Sequence, residues 1–124
     1  MKINTNPDTK VSEFGYVAEG IYQMRVKEVS LENGANFPYL KWTFEFTDPN
    51  IKCVKPEDKP SNIIENTTLK PDAQFAFKAL VEACGKTWGS EFETDELRGC
   101  SFMAGVGIKE YKGRFSNEVS KYIK

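Results

Sequence analysis

The sequence contains no histidine, and this absence narrows the chemistry that the protein can perform. Histidine is the commonest general base and metal ligand, and it activates serine and cysteine nucleophiles. Residues 84–87 end in Gly-Lys-Thr, but they lack the earlier glycine of a phosphate-binding loop and follow a predicted helix. We therefore expect a protein that is not an enzyme and needs no cofactor.

The remaining candidate for chemistry is a run of carboxylates formed by Glu91, Glu93, Asp95 and Glu96. Such a cluster can bind a hard cation, as a metal-dependent nuclease would require. The same pattern is more typical of a solvated loop before a strand. No motif supports a nuclease, and we predict no metal site.

Cysteine is scarce: there are three residues, an odd count, and their spacings match no zinc-binding pattern. Cys84 and Cys100 lie in apolar runs and are predicted to be buried, whereas Cys53 lies in a Lys/Pro-rich loop where exposure is expected. Free thiols fit a reducing cytoplasm. The sequence also lacks an apolar run approaching the ~20 residues of a membrane span. We expect a cytoplasmic protein without a membrane partner.

An excess of positive charge is missing too, because 17 basic residues face 18 acidic ones and the net charge is −1. A polycation that coats nucleic acid by bulk charge is excluded, but a local basic patch is not. The length of 124 residues and the hydrophobic fraction of 40% are typical of one globular domain. We predict a single domain over residues 1–124, with residues 1–15 as a loose N-terminal arm.

Five segments have the pattern of β-strands. Residues 21–29 and 39–46 alternate apolar and polar side chains, and the Asn33-Gly34 turn between them predicts an antiparallel hairpin. Residues 63–69 are rich in β-branched side chains, and residues 100–108 and 115–123 flank a turn at 111–114. Gly105 and Gly107 fall on the outer face, where they permit a sharp bend or the close approach of a ligand.

One segment, residues 71–84, has helical periodicity and is followed by Gly85 as a stop. The resulting order places the helix between strands 3 and 4. This order is typical of the OB-fold, a small Greek-key barrel, although other small α+β domains share it. We predict a mostly β protein, a five-stranded OB-type Greek-key barrel with one helix.

Basic and aromatic side chains occur at several places on the predicted surface. Proteins that hold single-stranded nucleic acid combine a positive groove with aromatic rings on which bases stack. The candidate DNA-binding residues are Arg25, Lys27, Tyr39 and Lys41 on the first two strands, Lys52, Lys55 and Lys59 on a loop predicted to act as a mobile clamp, and Tyr111, Lys112 and Arg114 on the last hairpin. The alternative is an ordinary solvated face and an ordinary hairpin turn. Trp88 fits two roles equally, sealing the base of the barrel or contacting a ligand.

Several short motifs resemble those of a known family. They are Gly20-Ile21-Tyr22, Leu97-Arg98-Gly99 and residues 39–44, 80–85 and 111–119. Together they resemble a family of small phage-encoded proteins that is similar to phage single-stranded-DNA-binding proteins, over about residues 20–122. The resemblance implies an OB-type barrel that binds single-stranded DNA during phage replication or recombination in the host cytoplasm. Phage replication or recombination proteins are the implied partners.

Two functions therefore remain open. The first is a sequence-tolerant single-stranded-DNA-binding protein, and the second is a protein-interaction module without affinity for nucleic acid. The sequence is compatible with a monomer or a homodimer.

Overall fold

The computed structural model describes residues 1–5, 14–89 and 91–124. Most of the predicted N-terminal arm, residues 6–13, lies outside the described residues. Within them the chain is mostly β with a single α-helix. In chain order the elements are β1 (Phe14–Gly15), β2 (Gly20–Glu32), β3 (Tyr39–Phe46), β4 (Lys59–Pro60), β5 (Ile63–Thr68), α1 (Phe75–Ala83), a 3₁₀-helix (Thr94–Leu97), β6 (Ser101–Tyr111) and β7 (Arg114–Ile123).

Five of the strands form one antiparallel sheet in the order β5-β3-β2-β6-β7. β2 pairs with two neighbouring strands. Its residues 20–25 pair with β6, and its residues 24–32 pair with β3. The register with β3 shifts between Val26 and Glu28, so Lys27 is the extra residue of a bulge. A bulge bends its strand and increases the local twist. The bulge follows the stretch that pairs with both partners, and the sheet curls around the core there.

The two outermost strands, β5 and β7, approach each other but do not pair. Among the described residues, the hydrogen bond between them is made by a side chain: the Val119 N–H donates to Glu65 Oε1 at 2.7 Å. The prediction of a closed barrel is therefore wrong for the part of the chain that the structure describes. A side chain that reaches across the gap takes the position of a backbone carbonyl and keeps the two backbones apart.

The helix α1 lies between β5 and β6, the fifth and sixth strands, and not between strands 3 and 4 as predicted. The difference comes from β1 and β4, which have two residues each and are too short to show an alternating pattern. α1 also begins later than predicted, because the Ala73 N–H donates to the Lys70 carbonyl and closes a turn first. Gly85 follows the helix with φ +77°, as a C-terminal stop requires.

The core lies between the inner face of the sheet and α1. Trp42 and Phe44 are fully buried on β3, and Phe77 of α1 packs against Trp42 with ring centroids 5.8 Å apart. Trp88 packs edge-on against Phe77 at 4.9 Å, which assigns it to sealing the core. The buried indole N–H of Trp42 donates to Thr67 Oγ1 at 2.9 Å, so the largest core side chain has its polar atom satisfied.

A second, two-stranded sheet fastens the N-terminal segment to the long loop of residues 48–62. β1 and β4 pair in parallel, and Val17 forms an isolated bridge with Cys53. The Val54 N–H donates to the Tyr16 carbonyl at 2.8 Å. Cys53 is consequently buried, whereas exposure was predicted from its Lys/Pro-rich surroundings. The loop is paired with a neighbouring segment, and this pairing limits its use as a mobile clamp.

Candidate nucleic-acid interface

The turn between β6 and β7 presents an exposed aromatic side chain, Tyr111, beside exposed basic side chains of the predicted site. Lys112 and Gly113 both have positive φ, at 50° and 79°, which is the geometry of a type I′ hairpin turn. This turn pairs Tyr111 directly with Arg114. Lys112 Nζ lies 5.3 Å from the centroid of the Tyr111 ring. The hairpin therefore brings Tyr111, Lys112 and Arg114 together, as predicted from the turn sequence.

Two further rings lie beside this turn. Phe115 is the second residue of β7, and its ring contacts that of Tyr16 with centroids 5.5 Å apart. Tyr111 is 73% exposed and Phe115 is 49% exposed, which is unusual for such large rings. Lys112 and Arg114 form no ion pair with any residue in the described ranges. We call Tyr16, Tyr111, Lys112, Arg114 and Phe115 the hairpin patch.

The segment that carries Tyr16 is held to the hairpin by Asn117. The Val17 N–H donates to Asn117 Oδ1 at 2.8 Å, and Asn117 Nδ2 donates to the Val17 carbonyl at 3.0 Å and to the Gly107 carbonyl at 3.1 Å. Because Asn117 uses both ends of its amide, it replaces a pair of strand hydrogen bonds. It thereby fixes the position of Tyr16 relative to the hairpin.

The loop that carries Lys52, Lys55 and Lys59 joins the same region through its pairing with Tyr16 and Val17. All three lysines are exposed. The loop also contains Asp48, Glu57 and Asp58, so its acidic and basic residues are equal in number. The loop therefore adds lysines near the hairpin patch without adding a net positive charge.

The surroundings of Arg25 and Lys27 differ from those of the hairpin patch. Arg25 forms an ion pair and hydrogen bonds with Glu45, its direct cross-strand neighbour. Arg98 lies nearby and pairs with Asp95 at 3.3 Å. These side chains line an open depression of about 570 Å³ in which positive and negative groups alternate. An anion entering there would have to displace a carboxylate, so this group is a weak candidate for phosphate binding.

Tyr39 and Lys41 lie near the opposite end of β2 from the hairpin. Lys41 is opposite Ser30, five positions along β2 from Arg25, which corresponds to roughly 16 Å of strand. The structure therefore does not bring Arg25 and Lys41 together. Lys41 has the neutral neighbours Ser30 and Asn66, and it makes no ion pair within the described ranges.

Sequence reasoning missed two residues beside Tyr39. Lys70 Nζ lies 5.9 Å from the centroid of the Phe37 ring, and the Leu69 N–H donates to the Pro38 carbonyl, which holds the two segments side by side. Phe37 precedes Pro38-Tyr39 in a loop, and an aromatic residue in an exposed turn was the available signal. We call Phe37, Tyr39, Lys41 and Lys70 the sheet-face patch.

Tyr16 and Phe115 were also missed, for different reasons. Tyr16 lies directly after the segment assigned to a loose arm, where no pattern placed it near anything. Phe115 was counted as an ordinary strand residue. The two-residue turn fixes the position of Phe115, and the sequence of that turn was the available signal.

The acidic segment before β6 has a structural role. Glu93 caps the 3₁₀-helix by accepting from the Asp95 N–H at 3.4 Å, and Asp95 pairs with Arg98. Within the described ranges, no group of three or more Cys, Asp or Glu side chains is arranged to hold a metal ion.

Burial is the first cause of the raised pKa values of Cys84, Glu65 and Tyr122, as it is for the buried Cys53 thiol. Burial raises the pKa of the Cys84 thiol to about 12, so this thiol is not a nucleophile at neutral pH. Burial also raises the pKa of the Glu65 carboxyl and of the Tyr122 hydroxyl. None of these groups belongs to either patch.

Comparison with protein-family models and with curated protein sequences finds no match for this chain. The described part of the chain has no helix long and apolar enough to cross a membrane. The function of the chain is therefore inferred from the geometry of the two patches.

Proposed function

We propose that this protein binds single-stranded DNA with little sequence preference, and that it acts in phage DNA replication or recombination. The observation that carries the proposal is the hairpin patch, where the exposed Tyr111 ring lies beside Lys112 and is paired with Arg114, and neither cation forms an ion pair within the described ranges. Aromatic rings stack on any base, and the cations bind phosphates, so such a surface binds single strands without reading their sequence. The phage context comes from the resemblance of the sequence motifs.

The curled sheet supports the proposal at the level of architecture. We infer an OB-type arrangement, since OB-folds are partly open five-stranded barrels. Oligonucleotides bind to OB-folds across strands 2 and 3 and through the loops after strands 1 and 4. In the five-stranded sheet these features correspond to β3, β5, residues 33–38 and the β6–β7 turn. The sheet-face patch and the hairpin patch lie at these positions.

A salt series tests the proposal directly. A fluorescent oligo-dT should bind at low salt, and the affinity should fall as salt rises because bound phosphates release counterions. An excess of unlabelled single strand should displace the probe, whereas duplex of the same length should not. The absence of binding at low salt would refute the proposal.

Variants then locate the site. Tyr111→Ala should weaken binding by roughly fivefold or more, since one stacked base contributes about 1–3 kcal/mol. The double variant Lys112→Glu with Arg114→Glu should weaken it further. Lys78→Glu with Lys86→Glu makes the same change in net charge on exposed residues of and after α1, and it should leave the affinity nearly unchanged. Equal losses in both double variants would indicate bulk charge instead of a defined site.

A second function is favoured by a separate observation on the outer face of the sheet. Ile21 is 59% exposed and Met103 is 41% exposed, and Met103 pairs with Ile123 across β6 and β7. Ile21 pairs with Gly105, which is two positions along β6 from Met103 and therefore on the same face. Adjacent apolar side chains on an outer sheet face are typical of a protein interface. They favour a protein-interaction role, with a second copy of the chain or with a phage protein.

Sedimentation over a range of concentrations distinguishes a homodimer from a monomer. A homodimer that uses this face should dissociate in the variant Ile21→Ser with Met103→Lys, while binding to oligo-dT through the hairpin patch persists. A monomer at every concentration, together with a lack of DNA affinity, would leave binding to another protein as the function.

A further inference from the structure

The two edge strands of the sheet, β5 and β7, face each other across a gap. We call this gap the seam, and the proposed DNA site does not use it. β5 and β7 are edge strands, and the outward N–H and C=O groups of an edge strand lack ladder partners. The Glu65 side chain crosses the seam from β5, and its Oε1 accepts from the Val119 N–H of β7 at 2.7 Å. This side-chain hydrogen bond thus lies where a closed barrel would have a ladder of backbone hydrogen bonds.

A cavity lies along this seam. It has a volume of about 360 Å³ and is bounded by β5, β7 and the α1 residues Phe75, Ala76 and Ala79. Phe75 at the start of α1 lines it and is 78% exposed, so the cavity is open to solvent. Because the edges are not packed against each other over their length, few contacts oppose their separation.

The charged and titratable groups around Glu65 come from several elements. β6 contributes Lys109, and β7 contributes Glu118, Lys121 and Tyr122. The side chains of α1 that line the cavity are apolar, and the cross-strand neighbour on β3 is Trp42.

The carboxylate charge is therefore less stable in the closed seam than in water. Burial raises the pKa of Glu65 and Glu118 raises it further, while the hydrogen bond from Val119 and the charge of Lys109 lower it. The two raising effects outweigh the two lowering ones.

We propose that the seam between β5 and β7 opens locally and that the hydrogen bond from Val119 to Glu65 holds it closed. The ionisation of Glu65 sets how often the seam opens. The hydrogen bond to Val119 favours the closed seam. Hydration of the ionised carboxylate favours the open seam, where water replaces the apolar surroundings. The open state therefore becomes more populated as pH rises and Glu65 loses its proton.

Hydrogen exchange at the Val119 amide measures this opening. After correction for the intrinsic exchange rate at each pH, protection in the unmodified protein should fall as pH rises from the ordinary glutamate pKa of about 4.3 through the raised pKa of Glu65. Glu65→Gln keeps a carbonyl acceptor without a charge, so its protection should be higher at neutral pH and independent of pH. Glu65→Ala removes the acceptor together with the charge, so its protection should also be independent of pH but about two- to tenfold below that of Glu65→Gln, which corresponds to one net hydrogen bond.

Glu110→Gln is the matched control, because Glu110 is an exposed carboxylate on β6 away from the seam. It should reproduce the pH dependence of the unmodified protein. Amides of the buried part of β3 should stay protected in every variant, which shows that the opening is local. The proposal is overturned if Glu65→Gln keeps the pH dependence or if the Val119 amide is as well protected in Glu65→Ala as in Glu65→Gln. Should Glu65→Ala fail to fold, the Gln variant alone decides the matter.

Discussion

At the scale of single residues, the fold depends on a few polar side chains that satisfy buried or edge backbone groups. Thr67 accepts from the Trp42 indole, Asn117 holds both backbone groups of Val17, and Glu65 accepts from Val119. Each of these side chains completes a hydrogen bond that the strands do not supply. A partner left buried without its hydrogen bond costs about 1–3 kcal/mol.

Thr67→Val tests the first of these contacts. The change keeps the shape of the side chain but leaves the buried Trp42 N–H without an acceptor, so the free energy of unfolding should fall by about 1–3 kcal/mol. Urea denaturation followed by tryptophan fluorescence measures it. Thr43→Val on the outer face of β3 is the control and should change stability by less than about 0.5 kcal/mol. Equal effects of the two changes would contradict the assignment.

Asn117→Ala tests the attachment of the N-terminal segment. It removes three hydrogen bonds to backbone atoms of Val17 and Gly107, and the Val17 amide should lose hydrogen-exchange protection. Because Tyr16 then loses its fixed position, affinity for oligo-dT should also fall. Ser116→Ala on the neighbouring outer position should affect neither. Unchanged protection of Val17 would show that the Asn117 contacts are not needed to hold the segment.

The pH dependence of global stability follows from Glu65. Its pKa is raised in the folded state, so the native protein binds this proton more readily than the unfolded chain does. The resulting stability is present below the unfolded pKa of about 4.3 and is lost as pH rises through the folded pKa. Glu65→Gln should therefore increase the free energy of unfolding at neutral pH and flatten its dependence above about pH 5. Thermal denaturation across this range, with Glu110→Gln as control, should show the difference.

At the scale of elements, β2 and the β6–β7 hairpin determine the architecture. β2 curls the sheet because it pairs with two strands and carries a bulge at Lys27. A second register shift lies between β6 and β7, where Ser120 of β7 is the extra residue opposite Gly105 and Val106, and a Cβ on Gly105 would lie 2.9 Å from Lys121 Cγ. The outward glycine at 105 thus makes room for side chains of β7 and does not mark a ligand site.

The hairpin turn gives a prediction at this scale. Gly113 has φ +79°, and a β-branched residue there should cost about 1–2 kcal/mol because L-residues are disfavoured in the left-handed region. Gly113→Val should lower the melting temperature and weaken oligo-dT binding, since Tyr111 and Arg114 lose their alignment. Gly89→Ala, at a position without positive φ, should change neither. A Gly113→Val protein with normal DNA affinity would separate the hairpin from the binding site.

The pattern of each element predicted part of this architecture. Residues 39–46 were predicted as a strand because strict alternation over eight residues leaves one face apolar, and β3 has these bounds. The two-residue strands and the late start of α1 could not be predicted. Their hydrogen bonds are made to residues far away in the chain or to a local turn that competes with the helix.

At the scale of the whole molecule, near-neutral net charge limits binding to local patches. If the two cations of the hairpin patch bind phosphates, the slope of log affinity against log salt should be shallower in the Lys112→Glu with Arg114→Glu variant. The expected change is about 1.4, since each phosphate contact to a single strand contributes about 0.7. The control with Lys78→Glu and Lys86→Glu should keep the slope of the unmodified protein. Equal slopes in all three proteins would place the phosphates elsewhere.

The sequence by itself determined the mostly β composition, the five long strands, the single helix and the residues of the hairpin turn. These features depend on local periodicity and on backbone preferences of glycine and proline, which act over a few residues. Tertiary structure alone decided that the sheet stays open at Glu65, that Arg25 is paired with Glu45, and that Tyr16 lies against Phe115. Those outcomes join residues 20 to 99 positions apart, and register, bulges and burial decide which side chains meet across such distances.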